Sequence, residues 1–92
     1  MKLKVLSQNI DIEYTADFFE TDQIGWSDYI NGKIVLLKGL AKDAENHTLI
    51  HELIHIIAST QGIDLSEQSV DGLASGFLSV LNDNPAFVKR FQ

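Results

Sequence analysis

The chain has 92 residues, 45% of them hydrophobic, a size that supports one small globular domain and leaves no room for a second. Thirteen acidic side chains against seven basic ones give a formal net charge of −6 with no basic run, which argues against a nucleic-acid partner and fits a polypeptide one. The absence of cysteine excludes a disulfide framework and a cysteine-based metal site, so histidine and carboxylate are the strong metal ligands on offer.

The opening Met1-Lys2-Leu3-Lys4 alternates polar and apolar residues instead of starting a signal core, and no stretch approaches the roughly 18 apolar residues of a membrane span. A soluble, cytoplasmic protein without membrane contact is expected, its oligomeric state open. Lys2 to Leu6 and Ile10 to Tyr14 read as a strand pair around Ser7-Gln8-Asn9. Leu3 and Val5 face one way, as do Ile10 and Ile12, and Lys2 and Lys4 would oppose Asp11 and Glu13. Thr15 to Gly25 lacks periodicity and reads as a loop with one helical turn around Ala16 to Glu20. Trp26 to Ile30 and Lys33 to Leu37 flank Asn31-Gly32, the favoured pair for a two-residue type I′ hairpin turn. That turn would set Tyr29 beside Ile34 and Trp26 beside Leu37. Both aromatics read first as core or sheet-surface residues, with Tyr29 also a candidate for a substrate or oxyanion contact.

From about Asp43 to Ser59 the chain contains neither proline nor glycine. Leu49, Ile50, Leu53, Ile54, Ile56 and Ile57 recur at helical spacing on one broad face, while His47, His51, Glu52 and His55 fall on the remainder. This helix carries His51-Glu52-Leu53-Ile54-His55, an HExxH motif. Residues four apart on a helix lie roughly 5–6 Å apart at Cβ, so both imidazoles can reach one ion. Glu52, turned about 100° from His51, flanks them and can take a proton from metal-activated water. A lone histidine opposite an apolar face reads as a solvated surface residue; the full motif reads as zinc. His47 lies about 12 Å along the axis from His55 and cannot share that ion. It reads as a first-turn surface residue, with a role toward substrate or behind the ligands as the sharper alternative.

A catalytic zinc needs a third protein ligand and one open position. Leu65 to Leu81 read as a second helix with Val70, Leu73, Ala74, Phe77, Leu78, Val80 and Leu81 as its apolar face. Gln61-Gly62 is placed to stop the first helix and fold the second back against it. Glu67 falls inside the apolar arc, between the directions of Ala74 and Leu78. An unpaired carboxylate facing the core is costly, so the position calls for a cation or strong hydrogen-bond donors, and zinc on His51 and His55 would satisfy it. The plainer reading makes Glu67 a first-turn carboxylate favoured by the helix dipole, behind a cap at Asp64 or Ser66. Asp71, one turn further on, is the alternative ligand. Gly72 and Gly76 would permit close backbone approach, or simply weaken the helix.

With the strands in the first forty residues and the helices after them, the expected fold is α+β: a small antiparallel sheet of two hairpins, then two packed helices. HELIH, the later helix opening with Glu67, and Asn82-Asp83-Asn84-Pro85 resemble small phage-type zinc metallopeptidases of the gluzincin class. The chain is similar as well to the ImmA/IrrE-like peptidases of mobile elements. The resemblance spans most of the chain, from the Gly25 hairpin to the terminal Asp-Asn-Pro segment. It implies a minimal zincin-like domain with Zn2+ on His51, His55 and Glu67, and Glu52 as general base in peptide-bond hydrolysis. It also implies that Ile34 to Leu37, the strand before the HExxH helix, lines the cleft and adds a peptide to its edge. For a phage-encoded chain the compartment would be the bacterial cytoplasm. The alternative function is a zinc-bound interaction module, weakly active or inactive, that engages a phage or host protein. A metal-free structural domain is the third reading.

Overall fold

The computed structural model describes residues 1–18 and 22–92. Strands β1 (Lys2–Val5) and β2 (Gln8–Thr15) form one antiparallel hairpin, and β3 (Gly25–Asp28) and β4 (Lys33–Leu37) form another. The two hairpins join through a parallel pairing of β2 with β4, Ile12 beside Ile34, which gives a mixed sheet of order β1-β2-β4-β3. Alternation along β2 and β4 places Ile10, Ile12, Ile34 and Leu36 on one buried face. Helix α1 (Lys42–Thr60) covers that face with Leu49, Leu53 and Ile56. Helix α2 (Glu67–Asp83) packs Val70 and Ala74 against Ile50 and Ile54 of α1, and the short α3 (Pro85–Lys89) follows. The architecture is therefore α+β, sheet first and two packed helices after. No helix among the described residues is long and apolar enough to cross a membrane.

Several local expectations are corrected. The first turn is Leu6-Ser7, with φ 49° and 68°, so Gln8 and Asn9 already belong to β2. Lys4 therefore opposes Asn9, and Glu13 pairs instead with Lys33 of β4 at 3.7 Å; only Lys2 meets its expected partner, Asp11, at 3.8 Å. The second hairpin closes over four residues, 29–32, not two. Asp28 decides this: its carboxylate accepts from the N–H groups of Ile30 and Asn31 and from Asn31 Nδ2, a side-chain-capped loop that competes with the type I′ turn. Trp26 consequently pairs with Val35 and Ser27 with Ile34. That is a shift of two residues, which leaves every side chain on its expected face. Of the helical turn expected at Ala16 to Glu20, residues 16–18 are irregular and the rest lies outside the described residues.

The helices also bury less than their wheels suggest. On α1 the apolar residues split between the sheet side and the α2 side, and Ile57 is exposed. On α2 only Val70 and Ala74 are buried, while Leu73, Phe77, Val80 and Leu81 remain exposed. A Cβ at Gly72 or Gly76 would meet nothing, so neither glycine mediates a close approach.

Candidate metal centre

The site depends on how α1 ends and α2 begins. Gly62 takes φ +69°, its N–H bonds Ser59 O at 3.2 Å, and the N–H of Ile63 bonds Ala58 O at 2.8 Å. This paired closure at a left-handed glycine stops α1 and reverses the chain, as the Gln61-Gly62 signal predicts. Ser66 caps α2 by accepting from the Ser69 N–H at 3.1 Å, which makes Glu67 the first residue of that helix.

The antiparallel helices then face each other along a polar seam, in which each turn back along α1 matches a turn forward along α2. His55 meets Glu67, His51 meets both Glu67 and Asp71, and His47 meets Asp71 and Ser75. His55 Nε2 lies 2.7 Å from Glu67 Oε1, and His51 Nε2 lies 3.3 Å from Glu67 Oε2. The other ring nitrogen of His51, Nδ1, faces Asp71 Oδ1 at 3.4 Å. One ligand atom from each of His51, His55 and Glu67 falls within 4.8 Å of the others, and among the described residues this is the group arranged to hold a metal. Asp71, the alternative third ligand, stands instead behind His51.

The position of Glu67 corrects the reasoning that selected it. Its side chain is 74% exposed, because α2 contacts α1 along a narrow stripe and its first turn projects beyond the core. What the carboxylate meets is the two imidazoles at its oxygens, not a buried environment. Glu52 shows the opposite error: expected on the polar remainder of α1, it is only 8% exposed. A Cβ on Gly25 would overlap Thr48 Cγ2 and stand 3.2 Å from Glu52 Oε2, so β3 lies directly on this part of α1. Glycine is required at the crossing.

Glu52, the two motif histidines, Glu67 and Tyr29 all line one cleft of about 590 Å³, bounded on its far side by the stretch around Gly25. The strand at that boundary is β3, not β4. The expected free edge at Ile34 to Leu37 does not exist, because β4 is paired on both sides by β2 and β3. Leu37 N–H bonds Ile24 O at 2.8 Å, and the alternation of an antiparallel ladder from that pair turns the backbone groups of Gly25 and Ser27 to the outer edge.

The residues fit a zinc ion. Bonds of roughly 2.0–2.1 Å in tetrahedral geometry space ligand atoms by a little over 3 Å. The 3.3 Å contact of His51 with Glu67 matches that spacing, and the 2.7 Å contact of His55 with the other carboxylate oxygen is shorter and would open on binding an ion. Two imidazoles and one carboxylate are a donor set suited to Zn2+ with a position left over. With an ion on Nε2 of His51 the ring proton would sit on Nδ1, where Asp71 Oδ1 at 3.4 Å is placed to face it. Compared with protein-family models, with curated proteins and with solved structures, the chain matches none. Sequence reasoning missed Gly25 and Ser75, and the partnership of Asp71 with two histidines. The i, i+4 spacing of Glu67, Asp71 and Ser75 against His55, His51 and His47 was the available signal.

Proposed function

We propose that the chain is a small gluzincin-type zinc metallopeptidase that hydrolyses a peptide bond of a protein or peptide substrate. The observation that carries this reading is the convergence of His51, His55 and Glu67 in one cleft with the buried Glu52. Those three side chains would hold a zinc ion, which when bound would supply Lewis acidity to a scissile carbonyl and to water. Glu52 takes the proton from that water and passes it to the departing amine. Packing beneath Gly25 restricts the rotamers of Glu52 and keeps its carboxylate at the wall of the cleft that both histidines also line. The outer edge of β3 offers Gly25 and Ser27 backbone groups to an extended peptide, which orients substrate along the cleft.

Two measurements test the reading. Protein purified without added metal is expected to carry about one zinc per chain or to take it up on titration; less than about 0.2 with no uptake would defeat it. Glu52→Gln is expected to keep zinc and to lose roughly 10²- to 10⁴-fold in cleavage of a peptide library. Equal cleavage by parent and variant would remove Glu52 from the chemistry. The exposed Leu73, Phe77, Val80 and Leu81 on α2 favour a second reading, a zinc-bound module that engages another protein, which predicts zinc without cleavage.

A further inference from the structure

We propose that His47 and Ser75 are positioning residues of the metal centre, holding Asp71 against Nδ1 of His51 and so leaving Nε2 of His51 free for the ion. The inference rests on the zinc reading above. A histidine that ligates through Nε2 carries its proton on Nδ1, and the group facing Nδ1 fixes both tautomer and ring angle. Here that group is Asp71 Oδ1, at 3.4 Å. Asp71 is mostly exposed, and a solvated carboxylate gains little from a single partner. The same Oδ1 lies 3.7 Å from Nε2 of His47, so two imidazoles flank one oxygen. Ser75 Oγ, 3.2 Å from His47 Nε2, sets the angle of the outer ring. A proton on His47 Nε2 then points its positive end between the serine oxygen and the carboxylate.

Two other roles fail on the same geometry. A serine nucleophile needs serine and aspartate on opposite ring nitrogens, whereas Ser75 and Asp71 both approach Nε2 of His47. A second ion would need a third donor near His47 and Asp71, and the metal-capable group among the described residues does not include His47.

The test is zinc affinity by chelator competition, with the absorption spectrum of the cobalt-substituted protein as a second readout. Asp71→Ala is expected to weaken zinc binding about 10- to 100-fold, and His47→Ala and Ser75→Ala about 3- to 10-fold with an altered cobalt spectrum. His47→Gln, which places an N–H near the position of Nε2, is expected to restore most of the affinity. In the Asp71→Ala background, His47→Ala is expected to cost nothing further, because its effect runs through Asp71. An additive loss in that double variant would mark a merely structural role and overturn the proposal. So would unchanged affinity and spectrum in both single alanine variants. His47 is half-buried and Ser75 exposed, and Ser75→Ala and His47→Gln carry the test if His47→Ala does not fold. A parent protein that binds no zinc would overturn the zinc reading and this inference together, whereas normal parental binding with unaffected variants overturns this one alone.

Discussion

Replacing Gly25 by alanine tests whether β3 must lie directly on Glu52. The new Cβ would overlap Thr48 Cγ2 and stand 3.2 Å from Oε2 and 3.3 Å from Cγ of Glu52. Thr48 and Glu52 are both buried, so neither can withdraw into solvent, and relief requires β3 to lift from α1. Overpacking of this kind costs about 1–3 kcal/mol. For a domain of this length each kcal/mol lowers Tm by about 4–8 °C, so a loss of roughly 5–20 °C is expected by circular dichroism. If the proposed function holds, peptide cleavage should fall with zinc content retained, since the strand that lifts lies on Glu52 and not on a candidate ligand. Gly72→Ala and Gly76→Ala are the controls: nothing lies within 4 Å of an added Cβ at either. Both sit inside α2, where alanine should stabilise by about 0.5–1 kcal/mol. Thr48→Ser removes Cγ2 while its hydroxyl keeps the 2.7 Å bond to Ala44 O, so adding it to Gly25→Ala should recover most of the loss. An unchanged Tm for Gly25→Ala, or a double variant no more stable than the single, would refute the close crossing of β3 over α1.

Three further outcomes are expected. Hydrogen bonds from the Asn31 side chain, and then from the Asn31 and Ile30 N–H groups, hold the Asp28 carboxyl below its ordinary value of 3.8. Because the folded value is the lower one, the stability Asp28 contributes is fully present above the ordinary value and is lost as pH falls through the folded one. Urea midpoints should therefore drop more steeply in acid for the parent than for Asp28→Asn, and parallel curves would rule this out. Ser66→Ala removes the α2 cap and should cost about 0.5–2 kcal/mol in denaturant unfolding, with weaker zinc binding because Glu67 is the next residue. Leu36→Ala empties a fully buried position beneath α1 and should cost about 2–5 kcal/mol; a loss below about 1 kcal/mol would contradict that packing.

What could be read from the sequence follows period and motif. The 3.6-residue pattern and the absence of breakers located α1, Gln61-Gly62 located its end, and period-2 alternation put Ile10, Ile12, Ile34 and Leu36 on one face. What could not be read depends on neighbours. Strand order made β3 the edge and β4 interior, and nothing local to Ile34-Val35-Leu36-Leu37 encodes that. Gly25 carries no periodic signal, and its requirement exists only because α1 crosses β3 there. The apolar arc on α2 would be buried across its whole width only if a neighbour covered it, but α2 packs chiefly on α1, with the short α3 at its end, and buries only Val70 and Ala74 deeply. Glu67 therefore joins the site through its contacts with His51 and His55 and not through burial.

The exposure of Glu67 matters for how the centre works. A buried carboxylate would need a cation to offset its desolvation, whereas one that is 74% exposed makes no such demand. Holding a glutamate in one rotamer costs up to about 1.5–2 kcal/mol, and an exposed carboxylate–histidine contact returns about 0–1 kcal/mol. The imidazoles alone therefore hold Glu67 weakly, even with Oε1 at 2.7 Å from His55 and Oε2 at 3.3 Å from His51. A divalent ion shared by all three groups returns far more than either contact. His51 and His55, by contrast, project from the middle of a 19-residue helix whose backbone is fixed by packing on both the sheet and α2. The centre is rigid on the α1 side and adjustable on the α2 side, so zinc should order Glu67 while leaving the two histidines nearly unmoved. Side-chain NMR of metal-free and zinc-loaded protein distinguishes this from a preformed site: a single Glu67 rotamer before zinc is added would contradict it.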